Sequence, residues 1–84
     1  MTISADSVWF DTDTMWIRLG DGRTLGVPLT WFPRLLAASP TERDRYEISA
    51  GGQGLHWDEL DEDISVSGLL LGQADKTVKR WTAA

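Results

Sequence analysis

Residues 15–29, MWIRLGDGRTLGVPL, carry the pattern that decides the fold of this chain. Apolar residues occupy every second position on both sides of a Gly-Asp-Gly turn: Met15, Ile17, Leu19, Leu25, Val27 and Leu29. Such alternation is typical of strands with one apolar face, and Asp-Gly is a strong hairpin signal. With the Val-Trp-Phe sequence at 8–10 upstream, the pattern predicts an antiparallel meander of three strands that ends at Pro28.

The residues after the meander predict short helices. Residues 31–38 have helical apolar spacing, with Thr30 as the expected N-cap and Pro33 in the first turn. Ser39 and Glu42 have the spacing of a capping box, so a second, short helix is expected there.

Brief alternation predicts short strands at 46–48, 55–57 and 64–66. Residues 68–72, bounded by glycines, predict an apolar turn or a short helix. The expected fold class is therefore α+β: a small antiparallel sheet, made of the three-strand meander plus short strands, packed on one or two short helices. A chain of 84 residues suffices for one domain, which we place at residues 1–72. Residues 73–84 are then a basic C-terminal tail, helical or disordered.

The acidity of the chain is concentrated in one segment. The formal net charge is -5, and five of the 13 acids lie within residues 58–63: Asp58, Glu59, Asp61, Glu62 and Asp63. This distribution argues against direct binding of nucleic acid. The absence of cysteine excludes thiolate metal sites, cysteine nucleophiles and disulfide scaffolds. Because the sequence has no apolar run of about 20 residues and no signal-peptide pattern, a cytoplasmic protein without membrane contact is expected.

Several motifs keep a recognisable order and spacing between residues 19 and 72. They are Asp-Gly-Arg at 21–23, Val-Pro-Leu at 27–29, Trp-Phe-Pro-Arg-Leu at 31–35, Ser-Pro at 39–40, Gly-Leu-His-Trp at 54–57 and Leu-Asp-Glu-Asp-Ile-Ser-Val at 60–66. Together they resemble a bacterial family, the domain of unknown function 2442. One departure is Asp58, where family members often carry proline after the tryptophan.

The resemblance implies a small α+β fold and no known activity. Members of the family are similar to proteins encoded beside a second small protein in toxin–antitoxin-like pairs. The resemblance therefore implies an antitoxin-like or regulatory module that binds another protein.

The acidic segment 58–63 is the strongest candidate site. Clustered carboxylates attract and orient basic proteins, so we predict that these acids, with Trp57 and Arg34, bind a basic partner, either toxin-like or nucleic-acid-handling. A related hypothesis is that the acids imitate nucleic acid and block a protein that handles it. The structural alternatives are a solvated turn for the acids and an Arg–carboxylate pair for Arg34.

His56 suggests a second hypothesis, a small-ligand binder or enzyme that uses it with the nearby carboxylates. A metal site at His56, Asp58 and Asp61 matches no standard ligand spacing, so no metal is expected. The alternative for His56 is a strand histidine that points away from Leu55 and Trp57. The sequence has no nucleophile elbow and no Walker motif, which favours a non-enzymatic protein without a cofactor.

Trp9 and Trp16 fall opposite the expected core face of their strands. If both are exposed, they form an aromatic patch suited to self-association. The alternative is that a second layer of the protein, such as residues 73–84, covers them. Monomer and homodimer both remain open.

Overall fold

The computed structural model describes residues 3–72, so the predicted tail at 73–84 lies outside the described residues. Within this range there are six strands and three short helices. The strands are β1 (Ala5–Phe10), β2 (Thr14–Leu19), β3 (Thr24–Pro28), β4 (Glu47–Ser49), β5 (Gly54–Trp57) and β6 (Glu62–Ser65). The helices are α1 (Pro33–Leu36), α2 (Pro40–Arg43) and α3 (Val66–Leu70).

The predicted meander is confirmed as the first sheet, with strand order β1-β2-β3 and both pairings antiparallel. The β2–β3 hairpin closes where the Asp-Gly pair predicted it, because the backbone N–H of Gly22 donates to the carbonyl of Leu19 at 3.0 Å. Alternation places Met15 and Ile17 in the interior, both with no exposed surface.

The short strands form a second antiparallel sheet of their own, with order β4-β5-β6. Its inner face contributes Leu55, Trp57 and Ile64 to the same apolar core as the first sheet. The α+β class is confirmed, and both sheets and the short helices contribute residues to one apolar core.

The predicted helix over 31–38 is interrupted. A 3₁₀ turn covers Leu29–Trp31, and α1 begins only at Pro33, with Phe32 at the N-cap position and no side-chain cap. The expected N-cap Thr30 was therefore wrong. The reason is steric: a residue before proline avoids helical backbone angles, and Phe32 has φ -132° and ψ 86°.

The second predicted helix, α2, is confirmed together with its capping box. The Ser39 hydroxyl accepts from the backbone N–H of Glu42 at 3.1 Å, and the Glu42 carboxylate accepts from the Ser39 N–H at 2.8 Å. Arg43 then donates from its guanidinium to the carbonyls of Leu35 and Leu36, which ties α2 to the end of α1.

The two sheets meet where the segment before β1 passes the turn after β4. Gly52 has φ +95°, and a Cβ built on it would lie 2.4 Å from the Cβ of Ser4. Gln53 donates to the carbonyl of Ile3 at 3.2 Å, and the Tyr46 hydroxyl accepts from the N–H of Val8 at 3.3 Å. Among residues 3–72, no helix combines the length and the apolar character that crossing a lipid bilayer requires.

Candidate functional site

The acidic segment 58–63 consists of a hairpin turn followed by the first residues of β6. The N–H of Asp61 donates to the carbonyl of Asp58 at 3.2 Å, and Trp57 and Glu62 are paired at the base of the turn. Asp61 has φ +53°, a left-handed conformation that aspartate tolerates better than most residues. These contacts define the backbone of the turn that carries the acids.

Strand alternation separates the acids of β6. Side chains at 62 and 64 point to the core and those at 63 and 65 point outward, because successive residues of a strand face opposite sides. Glu62 is consequently only 4 % exposed, and Trp57 opposite it is 1 % exposed. Trp57 and Glu62, both predicted to bind the partner, therefore face the interior and are not part of the exposed surface of the acidic segment.

Trp57 is a core residue with a hydrogen bond of its own. Its indole N–H donates to the carbonyl of Arg43 at 3.0 Å, and its ring packs against Phe10 and Tyr46, with centroids 6.4 Å away in each case. Trp57 therefore links β5 to β1 and to the end of α2.

The remaining acids lie on the outer surface around His56. Cross-strand register puts Glu47 of β4 and Asp63 of β6 on either side of His56 of β5. Asp58 reaches the same histidine from the turn. We define the acidic face as Glu47, Asp58, Asp61 and Asp63, all of them exposed.

Glu59, the fifth predicted docking acid, is already paired. Both of its carboxylate oxygens accept from Nη1 of Arg45, at 2.7 and 2.8 Å. Its charge is partly neutralised, so it contributes less to the acidic face than its neighbours do.

His56 is held at both ring nitrogens. Its Nδ1 lies 2.5 Å from Asp63 Oδ1, and its Nε2 lies 2.5 Å from Asp58 Oδ1. An ionised carboxylate only accepts hydrogen bonds, so both nitrogens donate, as they do in the imidazolium form. The hydrogen bonds to Asp58 and then Asp63 accordingly raise the pKa of His56 above its ordinary value.

This geometry bears on the metal and enzyme alternatives. Asp58 and Asp63 lie on opposite nitrogens of the ring, so the three side chains do not converge on one point. Among residues 3–72, no three His, Asp or Glu side chains are grouped so as to hold a metal ion, including the trio of His56, Asp58 and Asp61. In the imidazolium form, in which both nitrogens donate, the ring has no lone pair for general-base chemistry.

The side chain of Arg34 contacts the backbone of the acidic segment. Its Nη1 donates to the carbonyl oxygen of Asp61 at 2.6 Å. The expected Arg–carboxylate pair is thus replaced by a contact that fixes the turn. Arg34 also lines an open cleft of about 570 Å³, whose other lining residues include Phe32, Leu55, Ile64 and Leu69.

Trp9 and Trp16 lie side by side on the outer face of the first sheet, as predicted, and are a register pair. Trp9 is 40 % exposed. Trp16 is half-buried, since its ring covers Gly26 and its indole N–H donates to Asp11 at 2.8 Å. That bond, with the backbone N–H groups of Asp13 and Thr14, holds the pKa of Asp11 below its ordinary value.

Sequence reasoning missed Glu47 and Arg45. Both lie outside the acidic segment: Glu47 joins it through the β4–β5 pairing, and Arg45 joins it through its ion pair with Glu59. The alternation at 46–48 predicted a strand there, but which strand it pairs with and in what register were not predicted. That register was the missing signal.

Comparison with known proteins gives a family and a fold. A family model described as "Protein of unknown function (DUF2442)" matches residues 5–75. A crystal structure of a protein of unknown function from Rhodospirillum rubrum is similar, with TM-score 0.79 and 29% identity over 90% of this chain and 94% of that chain. A solution structure of an uncharacterised protein from Chromobacterium violaceum has TM-score 0.73 and 27% identity over 87% of this chain and 69% of that one.

No curated protein matches the chain. The family match covers well over half of the sequence and agrees with the motifs between residues 19 and 72. The chain belongs to the DUF2442 family of proteins of unknown function.

Proposed function

We propose that the protein is a non-enzymatic interaction module that binds a basic protein partner through the acidic face. One observation carries the proposal: residues from β4, the β5–β6 turn and β6 bring Glu47, Asp58, Asp61 and Asp63 together on the outside of the second sheet. Carboxylates fixed in this way raise the local potential and orient a positively charged partner.

The arrangement around His56 favours binding over catalysis. Both ring nitrogens are engaged by carboxylates, so the histidine serves to space Asp58 and Asp63 at a fixed distance. Its positive charge also reduces the mutual repulsion of the acids. A rigid acidic face is what a docking surface needs, because less side-chain freedom is lost when the partner binds.

The partner we infer is toxin-like or nucleic-acid-handling, in line with an antitoxin-like or regulatory role in the cytoplasm. A protein that acts on nucleic acid has a basic groove, and an acidic face can cover it. A second candidate function, imitation of nucleic acid, uses the same acids against some other nucleic-acid-handling protein. The identity of the captured partner distinguishes the two candidate functions.

The test is affinity capture from the native host with the full chain, washed at low and at high salt. A basic protein that is retained at low salt and released at high salt is the expected result. Capture of a neutral or acidic protein, or retention that salt does not affect, would contradict the proposal.

A variant pair then assigns the binding to the acidic face. Glu47→Gln/Asp61→Asn removes two charges and leaves the His56 contacts intact, and asparagine suits the left-handed backbone at 61. Exposed ion pairs contribute about 0.2–1 kcal/mol each, so the dissociation constant should rise roughly 2- to 30-fold. The control Asp6→Asn/Asp13→Asn removes the same charge from exposed positions on the first sheet and its turn and should leave affinity within about 2-fold.

A further inference from the structure

The two edges of the first sheet differ in what they contact. At the β1 edge, the N–H of Val8 donates to the hydroxyl of Tyr46 at 3.3 Å, so the segment before β4 engages this side. β3 forms the other edge, and β2 is its only strand neighbour among residues 3–72. The strand β3 also carries no charged side chain, which is one of the devices that block an edge against further pairing. β3 is therefore the open edge of this sheet in the described part of the chain.

The backbone groups that β3 presents at this edge follow from two contacts. The N–H of Leu19 donates to the carbonyl of Arg23 at 2.8 Å, and the N–H of Leu29 donates to the carbonyl of Asp13 at 2.9 Å. Bonded and non-bonded pairs alternate between these two contacts in the antiparallel ladder. Two residues of β3 with both an N–H and a C=O group thus point these groups away from β2: Thr24 and Gly26.

These outward groups complement themselves in one arrangement. When a second copy lies antiparallel with a two-fold axis beside Leu25, Thr24 of each copy lies opposite Gly26 of the other. Each of these pairs exchanges two hydrogen bonds, so all the outward donors and acceptors of the two residues are used. A shift by two residues would place Thr24 opposite Pro28, which has no N–H to donate. The backbone of β3 therefore fits a second copy in this register.

The side chains on both faces of the sheet suit the same register. On the inner face, Leu25 is only partly buried by its own chain, and the two-fold axis brings it against Leu25 of the second copy. On the outer face, the Trp16 ring lies over Gly26, since a Cβ at position 26 would be 2.6 Å from the ring. Arg18 faces Thr24 in the β2–β3 pairing and is exposed, and its side chain forms no ion pair or hydrogen bond within residues 3–72.

Arg18 provides charge complementarity between the two copies. In this register the second copy's Gly26 lies two strand spacings, about 10 Å, from Arg18, with the second copy's Trp16 ring over it. Extended over Thr24, Arg18 places its guanidinium within about 6 Å of that ring, the distance at which a cation is attracted to an aromatic face. The two-fold axis repeats this contact. Because residues 24–28 carry no charge, like charges do not face each other across this strand pair.

We propose that β3 is a self-association edge through which two copies of the chain join their first sheets into one antiparallel sheet. The order is β1-β2-β3 in one copy, continued by β3-β2-β1 in the second copy. Backbone pairing at two residues and two Arg18–Trp16 contacts make a small interface, so we expect a dissociation constant between about 10 µM and 1 mM. This inference is independent of the proposed function, since the acidic face lies on the second sheet.

The test measures the mass of the full chain by sedimentation equilibrium and its amide exchange by NMR, from about 10 µM to about 1 mM. We expect the mass to rise toward that of two chains. Exchange of the Thr24 and Gly26 amides should slow by about 3-fold or more over the same range. The amides of Leu25 and Val27 bond to β2 within each chain, so their exchange should not depend on concentration in this way, and they are the internal control.

The substitution Arg18→Gln tests the register. It removes both cation–ring contacts of the pair, so the dissociation constant should rise roughly 5- to 30-fold. The matched control is Arg45→Gln, which removes the same charge from an arginine that pairs with Glu59 outside the first sheet. This control should leave the dissociation constant within about 2-fold.

Four results would overturn the proposal. The first is the mass of one chain at the highest concentration. The second is equal protection of the Thr24 and Gly26 amides at every concentration, because the chain itself would then cover the edge. The third is a doubled mass without protection of these amides, because another surface would then join the copies. The fourth is an equal effect of Arg18→Gln and Arg45→Gln, which excludes the two-fold register through Leu25.

Discussion

Replacement of Trp57 by phenylalanine tests whether this residue belongs to the core or to a binding surface. Phenylalanine keeps the ring contacts with Phe10 and Tyr46 but has no N–H for the Arg43 carbonyl, which then loses a 3.0 Å hydrogen bond. A part-buried acceptor without its donor costs about 1–2 kcal/mol. The void left by the smaller ring costs about 1 kcal/mol more, so the free energy of unfolding should fall by roughly 2–3 kcal/mol.

A domain of this size has about 4–13 kcal/mol of stability in total, so the Trp57→Phe variant should still fold. The assay is urea denaturation followed by circular dichroism, which avoids the change in tryptophan fluorescence. Trp9→Phe is the matched control, because Trp9 is 40 % exposed, and it should change the free energy of unfolding by less than about 0.5 kcal/mol. Equal effects of the two substitutions, or no effect of Trp57→Phe, would refute the placement of Trp57 in the core.

Two further predictions concern His56 and the junction of the sheets. An NMR titration of the His56 imidazole should give a midpoint above 6.5, and a midpoint at or below 6.5 would contradict this. The stabilisation from His56, measured relative to His56→Gln, should be complete below pH 6.5 and should be lost as pH rises through the pKa of the folded state. The reason is that only the imidazolium donates to both Asp58 and Asp63. Gly51 has φ +64° and open space around it, so Gly51→Ala should lower the free energy of unfolding by about 1–2 kcal/mol. Gly52→Ala places a methyl group against Ser4 and should cost about 1–3 kcal/mol more. Equal costs of the two substitutions in urea denaturation would show that the junction is not formed.

The sequence correctly predicted the elements that are formed by interactions between residues close together in the chain. The β2–β3 hairpin follows from alternation and one Asp-Gly turn, and α2 follows from a capping box between Ser39 and Glu42. The break before α1 also has a local cause, since Pro33 excludes helical angles at Phe32, and the spacing of apolar residues alone did not reveal it.

Which residues make up the candidate site depends on how the strands pair, and local sequence signals do not determine strand register. The face of the sheet toward which each residue of β6 points decides that Glu62 is buried and Asp63 is exposed. A run of adjacent acids does not indicate which of them points inward. The β4–β5 pairing decides that Glu47 lies beside His56, nine positions away in the chain. A charge run thus predicts that a surface is acidic, but only the sheet shows which acids form it.

The fixed geometry of the acidic face explains why so many carboxylates are tolerated together. Each of three acids has a partner that offsets part of its charge: Arg45 for Glu59, and the His56 imidazolium for Asp58 and Asp63. Arg34 binds the turn through the Asp61 carbonyl and leaves that carboxylate exposed. These contacts hold the backbone of the turn and the start of β6 in place. In the proposed docking function, a turn that is already held in place reduces the conformational freedom lost when the complex forms.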